Sequence, residues 1–371
     1  MKDLRPFVDI LIEHARQVLG DDLELVIHYG SRTKDYAAPE SDYDLSYVPS
    51  QGKQIWNNWT YLIDGVCIDF YPMQWEGLEG DASFEGHRTS VIIDSRVLYH
   101  KSEAVLKRFR ALRGRISELQ TPEKKGEMLA KAMRQFTRTA YHLAVLEHVC
   151  TKEDIRSWRM EALKIADGIV NCRAVLNQTW LPKAWVRCVE KVVALPIRPE
   201  GIDRLLRTLA VDRSYETVRE AAIELICRTR GLLVDQQRAG GKMRTAGGDG
   251  LFYPEYRHMC TKATRACDGG NLIEANDQGM RYLSETASAR ASHREEVGYS
   301  SFNVVAEYSE KYDAMGFPDI TSCESREGLA EFKSKLAAHD QHLQRLLVSE
   351  GRDLFMVHTE EDLKRSLLQH G

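Results

Sequence analysis

All of the strand-like patterning in this chain lies between Leu23 and His100, and everything after residue 120 reads as helix. That division restricts the fold to a small mixed sheet flanked by helices and followed by helical structure, an α+β chain. The strand segments are Leu23–Tyr29, Tyr43–Val48, Trp59–Ile63, Val66–Tyr71 and Arg96–His100. Only Asp64-Gly65 separates the third from the fourth, which predicts a tight hairpin. A helix is predicted over 5–19, where Phe7, Ile10, Leu11, Ala15 and Leu19 recur at helical spacing and Gly20 follows as a stop. Another begins near Ser102.

Thr121-Pro122 opens the helical part, with Thr as N-cap and Pro at the first helical position. Helices are predicted over 128–149, 152–179, 184–194, 202–209 and 215–238, with breaks at Pro182, Pro196 and Pro199. The glycine-rich stretch 239–250 reads as a linker or loop. It lacks the GxxxxGKS/T spacing of a phosphate loop, and no strand precedes it. Beyond it, segments near 272–290, 299–315, 326–349 and 360–368 carry helical periodicity. The expected domains are 1–120 with the sheet, 121–238 helical, and 251–371 mainly helical, joined by 239–250.

With 371 residues, 43% hydrophobic and 29% charged, the chain can bury two or three separate cores. No apolar run approaches the ~18 residues of a membrane span. Met1–Pro6 passes straight into an amphipathic pattern without a signal peptide, so a cytoplasmic protein with no membrane partner is expected. The net charge of −4 lacks the basic excess of a general nucleic-acid binder, which favours small-molecule substrates. None of the eight cysteines forms a CxxC pair, and several sit in apolar helical stretches. They read as buried free thiols of a reducing compartment.

The chemistry is concentrated in His28–Leu45. One strand ends in Gly30-Ser31, ten residues intervene, and Asp42-Tyr43-Asp44 opens the next. Side chains at i and i+2 of a strand share a face, so Asp42 and Asp44 project together. Two carboxylates so close repel unless a cation sits between them. All-oxygen ligands suit a hard cation, Mg²⁺ or Mn²⁺. Asp69 lies between Ile68 and Phe70, which are predicted to point into the core. It then falls on the opposite, polar face as a third acid. Gly30 permits close backbone approach to a phosphate, which the backbone amides and the Ser31 hydroxyl can bind. Arg32 and Lys34 can add positive charge there.

This set, with His28-Tyr29-Gly30-Ser31, Asp42-Tyr43-Asp44-Leu45 and Ile68-Asp69-Phe70, resembles the DNA polymerase β-like nucleotidyltransferase superfamily. The resemblance covers roughly residues 5–120. Gly30-Ser31-Arg32 and Ser41–Leu45 look especially like the minimal, aminoglycoside and lincosamide nucleotidyltransferases. A looser likeness over Val175–Lys183 implies a helical partner domain, with Arg173 and Lys183 as further nucleotide-binding residues. The resemblance implies a nucleoside triphosphate substrate, most often ATP, and Mg²⁺ held by Asp42, Asp44 and Asp69. An acceptor hydroxyl attacks the α-phosphorus and pyrophosphate leaves. It implies a small hydroxyl acceptor such as an aminoglycoside-like compound. The alternatives are a protein or RNA acceptor, or a catalytically silent antitoxin-like binding module. The general base stays open between Asp69 and a glutamate of the helical domain, Glu147 or Glu161.

Other features read as structural. The twelve histidines contain no HExxH, and His142 and His148 sit on an apolar-rich helix. The six tryptophans are assigned to core packing. Glu76, Glu79, Asp81 and Glu85 read as an exposed loop, and Lys124-Lys125 as a solvated turn. Arg265, Arg281, Arg290 and Arg294 are spread rather than clustered, which argues against an RNA-binding face.

Overall fold

The computed structural model describes residues 4–34, 38, 41–53, 58–86, 88–182, 184–239, 253–295 and 304–370. The chain forms two compact units, Met1–Gln237 and Arg238–Gly371. Of the predicted linker 239–250, only Ala239 is among the described residues.

The first unit opens with α1 (Arg5–Leu19), which has Pro6 in its first turn and ends at Gly20 with φ 51°. Its buried stripe of Val8, Leu11, Ala15 and Leu19 follows helical spacing. That stripe shares a core with one face of a five-stranded sheet. The strands are β1 (Leu23–Tyr29), β2 (Tyr43–Pro49), β3 (Trp59–Ile63), β4 (Val66–Pro72) and β5 (Arg96–His100), in the order β3-β4-β2-β1-β5. β2 and β4 run parallel and the other pairs antiparallel, so the sheet is mixed. The β3–β4 hairpin turns at Asp64 (φ 47°) and Gly65 (φ 83°), two left-handed residues whose twist matches that of the strands.

Val26, Leu45, Tyr47, Ile68 and Phe70 are buried in the core shared with α1. Alternation along the strands therefore sends Tyr29, Asp44 and Asp69 to the other face. α4 (Glu103–Leu119) packs against β1 and β5. Ser102 caps α4 by accepting the Val105 amide at 3.4 Å. α2 (Trp75–Ala82) and α3 (Thr89–Ile93), in the connection from β4 to β5, pack against α4.

The loop expected over 76–85 is instead mostly α2. Glu76 is exposed, as expected, but the other three acids are engaged. Asp81 is buried and accepts the Arg88 amide at 3.1 Å, bracing the turn that leads into α3. Glu79 pairs with Arg108 at 2.7 Å, and Glu85 with Lys131 and Arg134 at 3.1 and 2.7 Å.

The rest of this unit is helical: α5 (Lys125–His148), α6 (Ile155–Leu176), α7 (Val189–Ala194), α8 (Ile202–Val211) and α9 (Tyr215–Ala239). α6 is the most enclosed, with Trp158, Ile165, Ile169 and Val170 buried. It begins at Asp154, whose carboxylate accepts the amides of Arg156 and Ser157. α5 packs on α6 so closely that a Cβ on Gly168 would lie 2.2 Å from Thr139 Oγ1. The helix expected over 184–194 is interrupted. Cys188, at φ −146°, separates a 3-10 turn over Trp185–Arg187 from α7.

The second unit comprises α10 (Tyr253–Asp268), α11 (Leu272–Glu295), α12 (Val304–Asp313), α13 (Leu329–Ser349) and α14 (Glu360–His370). Its core is rich in aromatics and holds paired polar groups. Asp340 accepts from Tyr253 at 3.1 Å and Arg257 at 2.6 Å. Arg290 is fully buried against Glu350 at 2.6 Å, which gives it a structural role. All eight cysteines are free; five are buried, and Cys227 is exposed. Among the described residues, no helix is long and apolar enough to cross a membrane.

Candidate active site

Gly30 ends β1 with φ 81° and ψ −162°, a conformation that side chains with a Cβ rarely adopt. The reason for glycine is steric as well as conformational. A Cβ there would lie 2.0 Å from Asp44 Oδ2, so the Asp44 carboxylate rests directly on the Gly30 backbone. Thr33 closes the turn behind it, donating to the Gly30 carbonyl at 2.8 Å.

Register brings the acids together. Tyr29 pairs with Asp44 across β1–β2, and Asp44 with Asp69 across the parallel β2–β4 pair. Asp42 lies just ahead of β2 and is exposed. Burial first, and then the neighbouring Asp42 and Asp69 carboxylates, push Asp44 up to about 6. No lysine or arginine reaches ion-pair distance of Asp42 or Asp44 among the described residues. Asp69 accepts from the Thr60 hydroxyl at 2.6 Å. The described side chains do not close by themselves into a three-ligand metal cage. The donor set nevertheless fits a divalent cation. It is all oxygen, and its mutual repulsion is of a kind that only positive charge relieves.

A cavity of about 710 Å³ opens over this point. Tyr29, Gly30, Ser31, Asp42 and Asp44 line it, and Asp69 lies beside Asp44 but off the wall. Tyr29 hydrogen-bonds Tyr71, and burial followed by that neighbour raises its phenol far above the usual range. Lys34 stands on the wall in an ion pair with Asp94 at 2.7 Å. Arg88 and Ser90 line the cavity, and Pro182 and Arg187 reach it from beyond α6.

The other expected residues are placed differently. Arg32 turns from the cavity to the Ser41 carbonyl at 2.6 Å and lies 6.0 Å from the Tyr43 ring, so it braces the loop that carries Asp42. Tyr43 stacks in turn on buried His28 at 4.1 Å. Arg173 is fully buried and directs its guanidinium to the carbonyls of Leu195 and Ile197 at 3.4 and 3.5 Å. It holds the turn before α8 and does not line the cavity. Lys183 lies outside the described residues. Glu147 is paired with Arg219 at 2.6 Å. Glu161 is buried between His142 and Lys164, each at 2.7 Å. Burial alone would raise its carboxyl, but the hydrogen bonds from Lys164 and His142 outweigh that and hold it low.

A second cavity, of about 560 Å³, shares Arg88 and Ser90 with the first. α5 turns Gln135, Arg138, Thr139 and His142 to it, and α6 turns Lys164, Asp167, Gly168 and Asn171. Both sets run i, i+3, i+4, i+7, the spacing of one helix face. Two polar faces of this kind, on helices that otherwise bury apolar residues, are the sequence signal for this wall. The Arg88–Asp94 segment offered no comparable signal, because five-residue α3 is too short to show a period.

No family model matches the chain, and no curated protein does. Among solved structures it is similar to a nucleotidyltransferase-like protein from Exiguobacterium sibiricum 255-15. The TM-score is 0.36 at 11% identity, over 62% of this chain and 77% of that one. At that distance the likeness bears on neither site nor substrate.

Proposed function

We propose that the chain is a metal-dependent nucleotidyltransferase that moves a nucleoside monophosphate, AMP from ATP in the first instance, to an acceptor hydroxyl. The observation that carries this reading is the Asp44 carboxylate seated on Gly30 beside Asp42 and Asp69, on the floor of a cavity edged by Lys34, Arg88 and Arg187. Asp42, Asp44 and Asp69 would hold Mg²⁺ or Mn²⁺, which supplies charge neutralisation for in-line phosphoryl transfer. Gly30 and Ser31 leave backbone room for the triphosphate. Lys34, Arg88 and Arg187 offset its charge.

The adjoining cavity is the place for the acceptor, and its size suits a small molecule. Arg88, Arg138 and Lys164 stand on its wall against Glu85 and Asp167, so it is not the acidic cleft that a polycation calls for. A neutral or mixed-charge polyol matches this wall better than a strongly cationic aminoglycoside. The test is pyrophosphate release from ATP with Mg²⁺ across acceptors of different charge, including a protein and an RNA end. Turnover should favour neutral polyols and disappear in Asp42→Ala. Turnover that survives Asp42→Ala rules out the proposed metal site.

A further inference from the structure

We propose that His142 is the general base that takes the proton of the acceptor hydroxyl, with Glu161 holding it for that task; this rests on the nucleotidyl-transfer reading above. His142 lies on the wall of the acceptor cavity. Its Nδ1 meets Glu161 Oε2 at 2.7 Å, and Glu161 spends its other oxygen on Lys164 at 2.7 Å. A carboxylate can only accept, so Nδ1 carries the hydrogen and the lone pair falls on Nε2. Nε2 has no protein partner among the described residues, and it is not enclosed. A base whose far side is fixed by a buried carboxylate is the arrangement that keeps an imidazole in one tautomer and one orientation.

The rival bases are less well placed. Glu161 lies behind the wall with both oxygens engaged. Glu147 is bound to Arg219 away from either cavity. Asp69 is off the wall of the first cavity and holds Thr60. Asp167 shares the acceptor wall but has interactions of its own.

The acceptor hydroxyl gives its proton to His142 Nε2 while its oxygen bonds the α-phosphorus. The bond from that phosphorus to the bridging oxygen breaks, and its electron pair leaves on pyrophosphate. Glu161 balances the imidazolium until the proton passes to solvent. The charged groups that face His142 are Arg138 on α5, Glu161, Lys164 and Asp167 on α6, and Glu85 and Arg88 across the cavity.

The experiment compares wild type, His142→Ala, Glu161→Gln and Asp167→Asn for pyrophosphate release from Mg·ATP. The acceptors are glycerol, an aminoglycoside, a serine peptide and an RNA 3′ end, and melting curves check folding. His142→Ala should lose about 10²- to 10³-fold in kcat with KM for ATP unchanged. Added imidazole should restore part of it. Glu161→Gln should lower kcat by less than His142→Ala does, with KM for ATP unchanged. Wild type inactive with every acceptor overturns the transfer reading, and this inference with it. Wild-type turnover that persists in His142→Ala overturns this inference alone. So does a loss that imidazole cannot restore in a folded variant. A collapse in Asp167→Asn with His142→Ala active reassigns the base to Asp167.

Discussion

Replacing Asp44 by asparagine should make the metal-free protein more stable while abolishing its function. Asp44 is half-buried, and its carboxyl is raised from 3.8 to about 6 by burial and by Asp42 and Asp69. Because the folded-state value is the higher one, the stability Asp44 allows is fully present below pH 3.8 and lost as pH rises through 6. At about 1.4 kcal/mol per pH unit, the ceiling on the loss at neutral pH is about 3 kcal/mol. Solvent screening of a partly exposed group reduces that to about 1–2 kcal/mol. Asparagine keeps the shape and removes the charge.

The assay is urea unfolding in chelator, followed by tryptophan fluorescence. All six tryptophans precede residue 186, so the signal reports the first unit. Asp44→Asn should exceed wild type by about 1–2 kcal/mol at pH 7.5, and the gap should close between pH 6 and 4. Mg²⁺ with ATP at ten times its dissociation constant should return about 1.4 kcal/mol to wild type and little to the variant. An Asp44→Asn protein no more stable than wild type in chelator, or a gap that ignores pH, would refute the claim that like charges crowd this site.

Gly30→Ala should cost about 2 kcal/mol of stability and remove more than about 99% of turnover, because it strains the backbone and displaces the Asp44 carboxylate; urea unfolding and pyrophosphate release check both. Arg173→Met should lower stability by about 2 kcal/mol, since carbonyls of the 195–197 turn lose a charged donor. KM for ATP should not move, and a tenfold rise would return Arg173 to the nucleotide site. His28 is held down to about 4, first by burial and then by Arg96 and Arg32. A depressed histidine stabilises above pH 6.5 and loses that contribution as pH falls to 4, so His28→Phe should blunt the acid sensitivity of the first unit.

Local rules made the strands, the hairpin and the face of Asp69 readable in advance. Asp64-Gly65 demanded a turn of positive φ, and the apolar flanks Ile68 and Phe70 set which way Asp69 points. The pairing that sets Asp69 beside Asp44 is a parallel, long-range contact, and no local spacing specifies it. α10 escaped because its buried face is Tyr253, Tyr256, Cys260 and Ala263 rather than branched aliphatics. His142 read as structural because its partner Glu161 lies nineteen positions away on another helix. Arg173 entered by resemblance alone, and its burial among backbone carbonyls is a tertiary fact.

The central claim is that Asp42 and Asp44 hold a divalent cation together with a nucleoside triphosphate. Calorimetric titration of Mn²⁺, with and without a non-hydrolysable ATP analogue, tests it most directly. Wild type should bind Mn²⁺ more tightly when the analogue is present, and the analogue more tightly with Mn²⁺, by the same factor. Asp42→Ala and Asp44→Asn should lose both effects. Mn²⁺ and nucleotide that bind independently, or binding that survives loss of both aspartates, would contradict the account.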